Sequence, residues 1–139
     1  MSKKILIITI ITFVMIALAT IGLVVWLVVD LNVPPKFEIK DSKLIVEDTY
    51  KAEIDLTDAE IILSDEKLEL TKRVVGTASG SIRKGKYTIK DVENTVYLSI
   101  MKFGEQYIFI KNGEERYYID MNTNEATLDL YNKLLNAKK

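Results

Sequence analysis

Hydrophobic and polar positions along this chain fall into three regimes: one unbroken apolar run, a long series of short alternations, and a closing segment of helical period. The run opens at Ile5 and closes at Val29, twenty-five residues with no charge and no proline, interrupted only by Thr9, Thr12, Thr20 and Gly22. At about 1.5 Å of rise per residue, such a helix is about 37 Å long, more than the roughly 30 Å of bilayer hydrocarbon. The pattern predicts a membrane-spanning helix, able to cross with some tilt. Trp26 near its far end suits a membrane interface, and Asp30 and Asn32 follow where headgroups would lie. A secretory signal is the competing reading, because Lys3 and Lys4 make a basic start and Ala17-Leu18-Ala19 imitates a cleavage site. Cleavage there would leave residues 20–29 as a greasy new terminus, so the uncleaved anchor is carried forward.

Val33-Pro34-Pro35 then ends helix and predicts a short stiff spacer that keeps the following domain near the bilayer. Alternation begins after it. Residues 37–40 and 44–46 flank Asp41-Ser42 and read as a hairpin; residues 50–56 alternate Ala52, Ile54 and Leu56 against Lys51, Glu53 and Asp55. Residues 56–59 suggest a brief helical turn before a strand at 60–63. Between Asp65 and Lys84 the pattern breaks into small residues, Gly76 through Ser81, which predicts a long loop with at most a short strand at 68–70. Strands resume at 86–89, 95–101 and 107–111, and Asn112-Gly113 is a strong hairpin signal leading into 116–120.

The tail changes period. Asn122 and Glu125 resemble a capping pair, and Leu128, Tyr131, Leu134 and Leu135 recur at helical spacing. The whole predicts four parts: a short basic N-terminus (1–4), a transmembrane helix (5–29), a Pro-containing linker (30–36) and a domain (37–139). About seven short antiparallel strands and one C-terminal helix point to an α+β, mainly-β domain, a strongly bent sheet or split barrel plugged by that helix.

Composition narrows the function classes. With no Cys and no His, disulfides, Cys/His zinc sites and Ser-His or Cys-His catalytic pairs are excluded. All twenty acids and seventeen of the nineteen bases follow the span, so the tethered part carries −3, which does not suggest bulk nucleic-acid binding. Lys3 and Lys4 abut the span whereas the first base beyond it is Lys36, which favours the N-terminus inside and the domain outside the cell membrane.

Charge is also segregated within the domain. Residues 36–69 hold eleven acids and five lysines, whereas residues 70–90 hold six bases, Lys72, Arg73, Arg83, Lys84, Lys86 and Lys90, and no acid. Near a bilayer these six could contact anionic lipid headgroups or an anionic wall polymer. The commoner reading of such a run is that its members are solvated turn residues or pair with the acidic strands of the same domain.

Two apparent motifs fail. Gly80-Ser81-Ile82-Arg83-Lys84-Gly85-Lys86 imitates a P-loop, but Tyr87 stands where Ser or Thr must meet magnesium, and an alternating segment follows instead of a helix. Glu47, Asp48, Asp55, Asp58, Asp65 and Glu66 lack the spacing and central Gly of a calcium loop. Tyr97, Tyr107, Tyr117 and Tyr118 fall on candidate strands and read as structural.

The stretch from Gly76 to Tyr87, with Val96-Tyr97-Leu98, Tyr107-Ile108-Phe109-Ile110 and Tyr117-Tyr118-Ile119, resembles the bacterial pleckstrin-homology (PH) domain families, whose members are often fused to membrane helices. The likeness covers roughly residues 37–135. It implies a PH-like split barrel of seven strands with a capping C-terminal helix, and it supplies no catalytic residues. The chain departs from phosphoinositide-binding PH domains, since only Asp41-Ser42 stands where a long basic loop would join the first two strands. A shared fold does not fix a ligand.

The expectation is therefore a single-pass membrane protein carrying a binding module, not an enzyme, with no cofactor, no metal and no nucleic-acid partner. The bilayer is one partner; the other is a protein that adds a strand or peptide to a sheet edge, or an anionic lipid or wall polymer at residues 72–90. The alternative is a structural subunit of a membrane complex, with Ala17, Ala19, Thr20 and Gly22 packing on another helix, although no GxxxG is present. A hydrolase using paired carboxylates has no supporting spacing.

Overall fold

The computed structural model describes residues 2–138, which divide into two compact units at Val33 and Pro34. In the first, α1 (Lys3–Leu31) is one continuous helix. The Ser2 hydroxyl caps it by accepting from the Ile5 amide at 3.3 Å. The hydroxyls of Thr9, Thr12 and Thr20 each donate to the carbonyl four residues back, at 2.9 Å, so the polar atoms of the run are satisfied within the helix itself. At its end the Asn32 side-chain amide donates to the Val28 carbonyl at 2.7 Å. The helix is long and apolar enough to cross a membrane.

The second unit is built of two sheets and a helix. β1 (Lys36–Lys40), β2 (Lys43–Glu47) and β3 (Lys51–Asp55) make an antiparallel three-stranded sheet in chain order. Asp41 and Ser42 form the β1–β2 turn with φ of 52° and 61°, the left-handed pair that a type I′ hairpin requires. β4 (Glu60–Ser64), β5 (Leu70–Ser79), β6 (Ile82–Ile89), β7 (Val96–Ile100), β8 (Tyr107–Asn112) and β9 (Glu115–Ile119) make a six-stranded sheet ordered β4-β8-β9-β7-β6-β5. α2 (Asn124–Lys138) follows.

The alternation of β4, β8 and β9 buries one face of the large sheet against β1–β3 and α2. Leu44, Val46, Ile54 and Leu56 meet Ile61, Ile108, Ile110, Tyr117 and Ile119 there, with Leu130 and Leu134 closing the cluster from the helix. Full burial of each such aliphatic side chain stabilises by roughly 1.5–3 kcal/mol. The opposite face gathers Tyr87, Ile89, Val96, Leu98, Ile100, Tyr107 and Tyr118 into a second cluster, covered in part by Leu68, Leu70, Val92 and Phe103.

Several expectations are corrected. The region read as a loop between Asp65 and Lys84 contains β5, a ten-residue strand, joined to β6 through the two-residue turn Gly80-Ser81. Its alternation was invisible because almost every residue of β5 is exposed, so neither face had to be apolar. Gly76 and Gly85 face each other across this hairpin at φ of 131° and 113°, and a Cβ on either would lie within 1.9 and 2.1 Å of a carbonyl oxygen of the other strand. The described residues form nine strands rather than about seven, and β7 runs parallel to β9, so the sheet is not purely antiparallel. That pair arises because the β8–β9 hairpin inserts with β9 beside β7, sending the 101–106 connection across the end of β9. Asp120, just past β9, holds this crossing: its buried carboxylate accepts from the Met101 amide at 2.6 Å and the Lys102 amide at 3.0 Å. In the β8–β9 hairpin Asn112 pairs with Glu115, so Gly113 and Glu114 make the turn.

The cap of α2 is Thr123 rather than Asn122: its hydroxyl accepts from the Ala126 amide at 3.1 Å. The buried stripe runs through Thr127, Leu130 and Leu134, while Leu128 is exposed. Thr127 sits in this stripe because its hydroxyl accepts from the Met121 amide at 2.9 Å and donates to the Thr123 carbonyl at 3.0 Å.

Candidate functional site

Register places the six bases of residues 70–90. Directly paired residues share a sheet face and successive residues alternate. One cross-strand row therefore reads Val75, Lys86, Tyr97, Tyr117, Ile110 and Ile61, and the next reads Thr77, Lys84, Ser99, Ile119, Ile108 and Leu63. Both rows carry a lysine on β6 and become wholly apolar on β8 and β4; on β5 the first has the exposed Val75 and the second Thr77. The apolar half is covered by β1–β3.

Over the middle of these rows reaches the β2–β3 loop. Lys84 is buried, and its ammonium contacts the equally buried Asp48 carboxylate at 2.9 Å. Beside it the Ser99 hydroxyl donates to the Tyr50 phenol oxygen at 2.9 Å, and Tyr50 packs against Tyr97, itself stacked on Tyr117 with ring centroids 4.9 Å apart. Burial pushes the Tyr50 phenol well above its ordinary range, against the Ser99 hydrogen bond that draws it down. Burial likewise raises Tyr117, reinforced by its hydrogen bond to Glu115. Lys84 is thus a structural strut between the two sheets, apart from the surface bases. The second Asp48 oxygen, Oδ2, is buried without a hydrogen-bond partner.

The other five bases divide between faces. Lys86 is exposed on the Tyr97 side, its ammonium 5.2 Å from the ring centroid, and Lys72, opposite Thr88, projects from the same face. Arg73 and Arg83 occupy the reverse face. Arg73 stands opposite Tyr87, and Arg83 lies over the Phe103 ring at 5.0 Å while donating to the Gly80 and Ile82 carbonyls at 2.6 and 2.8 Å. Burial raises the Tyr87 phenol, and the charges of Arg73 and Arg83 oppose that rise. Lys90 pairs with Glu69 at 3.5 Å in full solvent. Among the described residues Lys72, Arg73 and Lys86 have no carboxylate partner within ion-pair distance.

No family model, curated protein or solved structure matches this chain. Its surfaces must be read from chemistry alone. The stretch read as a P-loop imitation runs through the β5–β6 turn into β6, with no helix at its end. What sequence reasoning missed is the set Asp48, Tyr50 and Ser99; Ile82-Arg83-Lys84-Gly85 carries no apolar alternation that would have extended the strand read at 86–89 back to Lys84 and put it on the face opposite Arg83.

The arrangement that results is a sheet-edge hairpin with a cationic, partly aromatic flank. Lys72 and Arg73 lie on β5 itself, beside the exposed side chains of Val74 and Val75. Such a surface can attract anions and can cover apolar groups of a partner.

Proposed function

We propose that this chain is a single-pass membrane protein whose folded unit, PH-like in plan, is a binding module for an anionic partner at the membrane surface. Two sheets and a C-terminal helix support the PH-like reading, while nine strands and the β7–β9 pair depart from the seven-strand plan. The bases that abut the span at Lys3 and Lys4 support an extracytoplasmic domain.

The observation that carries the binding reading is that Lys72, Arg73 and Lys86, on the two faces of one hairpin, have no carboxylate partner among the described residues, in a chain with more acids than bases. Each such base near an anionic surface contributes about 1 kcal/mol. In the full chain, held in zwitterionic nanodiscs, the triple change K72E/R73E/K86E should weaken capture of phosphatidylglycerol vesicles at least roughly 100-fold. Undiminished capture would remove the hairpin from the account.

A further inference from the structure

β5 is an outermost strand of the six-stranded sheet and pairs only with β6. All but Leu70 and Thr77 of its ten residues are exposed. Alternate residues of such a strand turn their N–H and C=O groups away from the neighbour, so the outer side of β5 offers main-chain groups that no further strand pairs, although β6 side chains already reach two β5 carbonyls, Tyr87 that of Thr77 and Thr88 that of Lys72. Proteins commonly guard an edge of this length against pairing with copies of itself, and β5 carries the usual devices: register shifts between Leu70 and Lys72 and between Arg73 and Val75, and charges at Lys72 and Arg73.

The guards are all of one sign. A second β5 laid along this edge would bring cations against cations, which disfavours a second copy of this chain. Anionic headgroups would meet the charges but leave the row of backbone donors and acceptors to water. An extended polypeptide with two neighbouring carboxylates, one on each of its faces, satisfies both, and the apolar side chains that follow them would find Val74 and Val75 exposed beside the charges.

We infer that the outer edge of β5 takes up an extended, acidic segment of a partner protein as an added strand, with Lys72 and Arg73 selecting its carboxylates. This rests on the reading of the hairpin as a recognition surface.

The test uses the full chain in zwitterionic nanodiscs and a fluorescent peptide of repeating Glu-Glu-Val-Val, which puts a carboxylate on each face opposite Lys72 and Arg73. Beside it are measured the same peptide N-methylated at every residue, which keeps its charge and side chains but deletes the donors of both edges, and a peptide of repeating Lys-Lys-Val-Val. Expected are binding of the acidic peptide, at least tenfold loss on N-methylation, at least tenfold loss in K72E/R73E, and no binding of the Lys peptide. Equal binding of the methylated peptide would overturn strand addition while leaving anion recognition standing. Equal binding of the Lys peptide would overturn charge selection. If no peptide binds but phosphatidylglycerol vesicles are captured, the hairpin reads lipid and the inference fails alone; if neither binds, the recognition surface fails with it.

Discussion

Lys84 and Asp48 form an ion pair that neither partner can leave cheaply. Both side chains are almost wholly removed from water, and Asp48 Oδ2 is already unpartnered. Truncating one partner strands the other charge, so K84M or D48A should each cost about 3–5 kcal/mol, whereas K84M with D48L should cost much less than the sum. Urea denaturation of the full chain in detergent, followed by near-ultraviolet circular dichroism, measures this; additive losses would show that the two side chains do not act as a pair. Asp120 offers a second residue-scale test. Burial pushes its carboxyl up to about 6, against the two amide hydrogen bonds that lower it and with repulsion from Glu105 adding to the rise. The folded state therefore holds a proton that an unfolded carboxyl of pKa about 3.9 has released, and stability falls as pH rises through about 4 to 6, by up to about 3 kcal/mol. D120N should flatten that part of the stability–pH curve, and parallel curves for the two proteins would contradict the assignment. The six bases were legible as a charge block, but not their division: a run of like charge in one dimension becomes two faces and a buried strut once β6 alternates.

At the scale of elements, the turns were easier to read than the strands they join. Asp41-Ser42 was visible as a hairpin turn, and its two positive φ values identify a type I′ turn without the usual Asn-Gly. D41N/S42G should therefore raise stability by roughly 1 kcal/mol, read as a higher denaturation midpoint with an unchanged slope. A lower midpoint would mean that those side chains do something the fold needs. β5 escaped notice because solvent on both sides leaves no apolar periodicity to find, and because its Gly, Ser and Thr residues carry loop chemistry. Gly76 is the exception that marks it as structure. G76A places a Cβ 1.9 Å from the Lys84 carbonyl oxygen at a φ of 131°, and it should cost more than about 2 kcal/mol, with loss of the β5–β6 pairing in amide exchange. A neutral effect would contradict the close approach of the two strands. The helical tail was legible in period and off by a residue in cap, since Thr123 and Asn122 offer equivalent oxygens and only the bond to Ala126 chooses between them.

At the scale of the whole molecule, the apolar run from Ile5 to Val29 forms a helix long and apolar enough to cross a membrane, and the proposed reading assigns recognition to the folded unit that follows. The chain has no Cys, so a single Cys at Glu114, on the exposed β8–β9 turn, can report topology. It should react with a membrane-impermeant maleimide on intact cells; protection lost on lysis would place the domain inside and redirect the search to cytoplasmic partners. On the proposed reading the β5–β6 hairpin is the surface through which the folded unit meets its partner. It is tested most directly by a photoreactive side chain placed at Val75 or, as control, at Leu128, in the full chain within the membranes of cells that express it. Expected is a discrete crosslinked product from position 75 that disappears when Lys72 and Arg73 are reversed to Glu, and none from position 128. A product from position 128 alone, or one from position 75 indifferent to the charge reversal, would contradict it.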